Sequence, residues 1–333
     1  MSVAAPSSIG ASRSRPSSFL LALGLVAVLF AWSINYIVGK ITLKHLDALT
    51  LASFRFQASA LVLLAVYFSR RTRTPLRAHD LWTFAYLGVF GFAINQGSFV
   101  IGLSLTTSAH SAIVVALGPI LILAMASAMR LETLTAGKIL GMLISFSGVL
   151  VLETDGGSPL HSPLLLGDLI TLAGTLGYSI YTVLAKRVAG AYDTISMNTF
   201  NATIAAIIWL PLALRQGGRL NWSSVGLAGW AGLFYMVTCS AVGGYLLFYW
   251  LLRHMEASRV VVVNYLQPVV VVLLSIPLLG EHPTARLLES GALVLLGVYL
   301  AEHASARERR QRMQIPSSPR AQKKRRRRKR RRL

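Results

Sequence analysis

Ten stretches of this chain are long and apolar enough to cross a lipid bilayer, and the connectors between them are too short to fold alone. A helix rises ~1.5 Å per residue, so roughly 20 residues cover the ~30 Å of hydrocarbon. The runs fall at about 18–39, 48–69, 80–104, 108–129 and 136–153, then 165–185, 194–214, 226–251, 259–280 and 285–303. Within hydrocarbon every backbone N–H and C=O must be satisfied by the protein itself, which leaves helices or a closed barrel. Continuous apolar runs lack the alternation of barrel strands. The expected fold is an all-α integral membrane protein with ten transmembrane helices. Composition excludes an ordinary soluble domain: 54% of the 333 residues are hydrophobic and 14% charged, where soluble domains carry about 25% charge.

The ten runs divide into two copies of five. Pro119 stands thirteen residues before Glu132, and Pro268 thirteen before Glu281. At the same offset of 149, Leu117 matches Leu266, Thr135 matches Thr284 and Gly148 matches Gly297. Earlier in each half, the stretch from Trp32 to Lys40 lies over that from Tyr178 to Lys186. Five is odd, so the second copy must start on the opposite side of the membrane, making these two inverted five-helix repeats. Such repeats characterise secondary transporters, which enclose a site near the bilayer midplane and rock around it. The expected units are an N-terminal segment 1–17, a first repeat 18–153, a second repeat 165–303 and a disordered polybasic tail 304–333.

Lys and Arg in alternate connectors set the expected orientation. With the N-terminus in the cytoplasm, 12 lie on the inner side before the tail is counted (from Arg13 and Arg15 to Arg253 and Arg259) against 5 outside (Lys40, Lys44, Arg215, Arg219 and Arg286). The connector holding Glu153 and Asp155 carries neither Lys nor Arg. Both termini are expected inside, in a multi-pass protein of the inner, or plasma, membrane, with the first span a retained signal-anchor. From Ala304 onward the chain carries +14 of its net +21, including ten consecutive basic residues from Lys323 to Arg332. That run is expected to stay near anionic inner-leaflet lipids and to bind no specific nucleic acid. The one cysteine, Cys239, permits no intrachain disulfide.

These residues resemble the ten-span EamA-type family of the drug/metabolite transporter superfamily. The marks are Trp32-Ser33 with Asn35 and Lys40, then Arg55, Asn95-Gln96 and Thr107-Ser108-Ala109. Stronger are Pro119 with Leu131-Glu132-Thr133-Leu134-Thr135, Pro268 with Leu279-Gly280-Glu281-His282-Pro283-Thr284, and Gly167-Asp168 at the sixth span. The resemblance covers about 18 to 303. In the first unit Met129-Arg130-Leu131-Glu132 departs from the family's usual Leu-Gly-Glu. It implies a carrier that exports amino acids, their derivatives or other small metabolites, often by exchange or proton coupling.

Ionisable groups inside hydrocarbon cost ~2.5–3.5 kcal/mol on insertion scales, so they face a cavity or a partner. Arg55 is the clearest case: it either holds a substrate carboxylate as a bidentate fork or pairs with helix-end carbonyls or an acid such as Asp47. Glu289 is the candidate coupling carboxylate, or a counter-ion to Arg55, or an outer-interface residue. Glu132 and Glu281 are expected at opposite faces, each bracing the start of the following helix. Pro119 and Pro268 each remove a backbone hydrogen bond and are expected to bend their helices, as gates or as packing kinks. The candidate lining is Trp32, Asn35, Tyr36, Arg55, Asn95, Gln96, Tyr178, Tyr181, Asn201, Tyr245, Tyr249, Asn264 and Gln267; amides and phenols bind zwitterions and aromatic faces accept ammonium groups. The same residues also serve as glue between helices.

No Walker loop, HExxH, Cys/His cluster or Gly-x-Ser-x-Gly is present, so no catalytic residue, cofactor or metal is expected. The expected partners are a small-molecule substrate, lipids and a proton or exchange substrate, in a monomer or homodimer. A broad drug or amphiphile carrier remains the alternative within the class. An intramembrane enzyme or a non-transporting assembly factor remains the alternative outside it.

Overall fold

The computed structural model describes residues 16–154, 164–188, 190–255, 257–260 and 262–314. The expectations placed on Arg13, Arg15, Asp155 and the run 323–332 lie outside the described residues. Among the described residues ten membrane-length helices follow one another: α1 (Ser18–Thr42), α2 (Ala48–Ser69), α3 (Ala78–Leu105), α4 (Ser108–Ala128), α5 (Ala136–Glu153), α6 (Leu165–Ala185), α7 (Thr194–Arg219), α8 (Trp222–His254), α9 (Val262–Leu279) and α10 (Ala285–Gln314). The protein is a multi-pass membrane protein built as two inverted five-helix repeats. The expected limits of α5 and α6 coincide with the observed ones. The last helix is longer than expected: it runs through Gln314, so the first turns of the segment expected to be disordered are helical. Large apolar side chains such as Phe19, Leu61, Leu143, Leu214, Leu227 and Phe234 cover the outer surface, an apolar belt that water would not tolerate and lipid does.

Polar caps start the helices. The Asp47 carboxylate accepts from the amides of Leu49 and Thr50 at α2, and the Asp193 carboxylate accepts from Ile195 and Ser196 at α7. Each satisfies donors that the first helical turn leaves unpaired. Contacts between connectors define the two ends of the bundle. At one end Glu281 reaches Ser108, Arg286 reaches Thr154 and Gln216 reaches Asp47. At the other, Arg70 and Thr74 meet Asp193, and Tyr192 donates to Asp80.

The pseudo-two-fold relation appears in paired contacts. α1 packs along α8 and α9 as α6 packs along α3 and α4, and α2 pairs with α7 as α5 pairs with α10. Gly148 lies against the Ser290 carbonyl while Gly297 lies against the Gly141 carbonyl, so both contacts repeat at the offset of 149. Between them Ser145 Oγ donates to the Val294 carbonyl at 3.1 Å. Without Cβ atoms at these points the helices approach backbone to backbone.

Two departures from regular helix were not expected. α3 and α8 contain π-helical segments, Val89–Ile94 and Met236–Gly244, which overlap when shifted by 149. A π turn inserts one residue and disturbs the carbonyl ladder. Here the Ser240 carbonyl accepts the Trp32 indole N–H at 3.3 Å. Pro119 interrupts α4, which divides into Ser108–Val115 and Gly118–Ala128. Pro268, by contrast, lies within the continuous α9, so the two expected interruptions are not equivalent. Pro119 occupies a first-turn position of the second piece, where its missing N–H removes no helical bond.

At the end holding Asp193, burial pushes its carboxyl up, but hydrogen bonds from Ser196 and Arg70 outweigh this and hold it at about 2. Asp193→Ala should destabilise the protein by about 1 kcal/mol, as loss of a helix cap does. The folded value lies below the unfolded one of about 3.9, so the contribution is complete above that and lost as the pH falls through about 2. Thermal unfolding of wild type and variant in detergent across that range checks both.

Candidate functional site

Seven helices, α1, α2, α3, α4, α6, α8 and α9, enclose a cavity of about 330 Å³, at the small end of the ~300–1,000 Å³ usual for small-molecule sites. Trp32, Asn35 and Tyr36 of α1 line it, with Arg55 of α2, Asn95 and Gln96 of α3, Tyr178 of α6, Tyr245 of α8, and Asn264 and Gln267 of α9. Pro119 and Pro268 also face it. On α1 and α9 these residues recur at three- or four-residue spacing, which puts them on one helical face.

Among the described residues, Arg55 is the one ionisable cation in the wall, and no Asp or Glu joins it. Its side chain is 6% exposed. Its Nε and Nη1 have no hydrogen-bond partner among the described residues, and the guanidinium stands 5.9 Å from the Phe99 ring centroid. Asp47 is occupied by the α2 cap and by Thr50 Oγ1 at 2.5 Å, so the pairing of Arg55 with Asp47 weighed from sequence does not form. A buried cation with unused donors is costly unless an anion or water satisfies it. Asn35 Oδ1 is likewise buried without a partner among the described residues.

Other amides are committed to the frame. Asn95 Nδ2 donates to the Gly174 carbonyl at 2.9 Å and its Oδ1 accepts from Gln96 at 2.7 Å. Aromatic rings form the remainder of the wall: Trp32 lies 5.5 Å from Tyr245 and 5.1 Å from Phe248, and Tyr36 meets Phe99 edge to face at 5.0 Å.

Four expected residues fall elsewhere. Tyr181, Asn201 and Tyr249 are not among the residues that line the cavity. Tyr181 stacks on Tyr178 at 5.9 Å and Tyr249 on Tyr245 at 6.4 Å, so the cluster supports the lining tyrosines. Glu289 is exposed. α10 buries Leu287, Ser290, Val294, Val298 and Ala301, a stripe at helical spacing that leaves Glu289 off the packed face.

Glu281 also differs from expectation. Its carboxylate accepts from the Ser108 amide at 2.8 Å and the Ala109 amide at 3.3 Å, capping α4 of the first repeat rather than the following α10. Glu132 does brace its following helix, 3.6 Å from Lys138 of α5. Cys239 is exposed.

Sequence reasoning missed Phe99, Thr171, Thr175, Ser240 and Phe248 in the cavity wall. Thr171, Thr175 and Tyr178 stand at four- and three-residue steps, so helical periodicity would have found the two threonines. Ser240 required knowledge of the π segment.

Comparisons with known proteins agree with this architecture. The profile of the EamA-like transporter family matches residues 19–154 and again 165–302. An uncharacterized transporter of Archaeoglobus fulgidus is 29% identical over 275 residues, covering 81% of this chain and 94% of that protein. A probable amino-acid metabolite efflux pump of Salmonella typhimurium is 26% identical over 306 residues, covering 86% and 95%. A solved crystal structure at 20% identity superposes with a TM-score of 0.59 over 87% of this chain and 99% of its own, a likeness of fold. The paired family matches, one on each inverted repeat, establish that this chain belongs to the EamA-like transporter family.

Proposed function

We propose that this transporter exports small metabolites bearing a carboxylate, amino acids or their derivatives, by alternating access between its two repeats. The observation that carries this reading is Arg55: a buried guanidinium whose Nε and Nη1 have no partner among the described residues, facing a cavity that no acid among those residues lines. A carboxylate supplies the missing acceptors in bidentate geometry, while Trp32 and Tyr245 offer aromatic faces to an ammonium group. The relative described as a probable amino-acid metabolite efflux pump supports the same substrate class. The Lys and Arg distribution supports cytoplasmic termini in an inner, or plasma, membrane. A broader amphiphile carrier is the second reading, favoured by the rings of Trp32, Tyr36, Phe99, Tyr178, Tyr245 and Phe248 around the cavity.

Counterflow in proteoliposomes tests the proposal. Vesicles preloaded with unlabelled amino acids should accumulate the labelled compound, and N-acylated amino acids should compete. Methyl esters, which lack the charge that Arg55 would hold, should not. Competition by esters equal to that by acids would favour the amphiphile reading, and no counterflow by any compound would remove the carrier reading.

A further inference from the structure

We propose that the main cavity selects monoanions with an uncharged N–H beside the carboxylate, as in N-acylated amino acids, over zwitterions, and that Asn35 reads the N–H. This rests on the carboxylate reading above and narrows it. Net charge decides between the two ligand classes, and an unmet acceptor in the wall names the residue.

Among the described residues the wall holds one cation, Arg55, and no acid. The ionisable groups at its margins are engaged with one another or with the backbone. Asp168, three residues before Thr171 of the wall, accepts from Thr106 Oγ1 at 2.6 Å and lies 2.8 Å from His110 Nδ1. Lys40, four residues beyond Tyr36, interacts with the charge of Glu281, whose carboxylate also accepts from the Ser108 and Ala109 amides. Asp47 is held in the cap of α2. A single carboxylate therefore neutralises the wall. A zwitterion brings an ammonium with its carboxylate, so the occupied cavity returns to a net positive charge. The faces of Trp32 and Tyr245 compensate a desolvated ammonium only in part. Acylation of the nitrogen removes that charge and leaves a neutral amide.

The wall has a place for this amide. Asn35 is 6% exposed, and its Oδ1 has no hydrogen-bond partner among the described residues. A buried acceptor left unmet is costly, and an N–H supplied by the ligand removes the cost. Asn35 precedes Tyr36, whose ring meets Phe99 at 5.0 Å, and the Arg55 guanidinium stands 5.9 Å from the same Phe99 ring. The acceptor and the guanidinium thus belong to one region of the wall. α1 packs along α9, where Asn264 and Gln267 line the cavity and offer amide donors to the acyl oxygen. The rings of Trp32 and Phe248 take the apolar carbons of the ligand.

The test measures binding to the full chain in detergent by thermal shift, with four ligands on one carbon frame. These are N-acetyl-leucine, leucine, 4-methylpentanoate, which lacks the nitrogen, and N-acetyl-leucine methyl ester, which lacks the carboxylate. N-acetyl-leucine should bind about tenfold more tightly than leucine, and about tenfold more tightly than 4-methylpentanoate, which leaves Asn35 unmet. Asn35→Leu should erase the second difference while keeping 4-methylpentanoate within about threefold of its wild-type affinity. A ratio between two ligands is not moved by a general loss of packing, so a residue of the frame alone would leave it unchanged. Leucine binding as tightly as N-acetyl-leucine overturns the proposal and leaves the carboxylate reading standing. Equal weakening of both acids by Asn35→Leu does the same. Should that variant yield no folded protein, wild type decides the point: equal binding of N-acetyl-leucine and 4-methylpentanoate overturns the role of Asn35. The ester binding as tightly as its acid, or no binding by any of the four, removes the carboxylate reading and this inference together.

Discussion

Arg55→Leu is expected to abolish counterflow while leaving the protein as stable as wild type or more so. On the proposed role the two effects separate, because the Nε and Nη1 of Arg55 have no hydrogen-bond partner among the described residues and so add little to the fold. Removing one member of a buried charge-assisted pair costs about 2–5 kcal/mol, or roughly 30-fold to several thousand-fold in affinity. Removing an unpaired buried cation returns the ~2.5–3.5 kcal/mol paid to insert it. Arg55→Lys retains the charge but not the fork, so binding should weaken by about tenfold or more. Counterflow rate against substrate concentration, measured beside thermal unfolding in detergent, reads both effects. A variant that loses activity and stability together would assign Arg55 to the frame.

Gly297→Leu should have the largest effect on folding. A Cβ at this position would stand 2.5 Å from the Ser145 amide nitrogen and against the Gly141 carbonyl. Both are backbone groups that cannot rotate away, so α5 and α10 must separate and the Ser145–Val294 bond breaks. Overpacking that forces backbone movement costs about 3 kcal/mol or more, a large share of the ~5–15 kcal/mol that holds a typical protein folded. Gly218→Ala in α7 is the control, because a Cβ there meets nothing within 4 Å. Equal yields of monodisperse protein from both variants would contradict the backbone-to-backbone account of the α5–α10 junction.

Where the sequence was legible, the signal was repetition or local hydrophobicity. Pro119 and Pro268, Glu132 and Glu281, and Gly148 and Gly297 revealed the two repeats before any contact was known. The limits of α5 and α6 followed from where charge interrupts an apolar run. Trp32, Asn35 and Tyr36 could be read as one face of α1 because three- and four-residue steps return to the same side of a helix. The same rule, applied to Leu287, Ser290, Val294 and Val298, places Glu289 off the packed face of α10.

The partners were not legible. Glu281 stands only a few residues ahead of α10, yet it caps α4, 173 residues away in the chain. His110 and Asp168 are separated by 58 residues, and each alone reads as an ordinary residue at a helix start. The π segments of α3 and α8 lie in apolar sequence no different from that of neighbouring regular turns.

The amino-acid sequence by itself determined which segments leave water, how many cross the bilayer and that the second five run opposite to the first. Transfer to hydrocarbon is additive along a segment and indifferent to direction, so a single strand of letters records it. Tertiary structure alone decided that Arg55 remains without an acid among the described residues, that Glu281 ties the two repeats and that His110 meets Asp168. Hydrogen bonds and ion pairs demand distance and angle together, and these depend on the depth to which helices interlock at contacts such as Gly141 with Gly297.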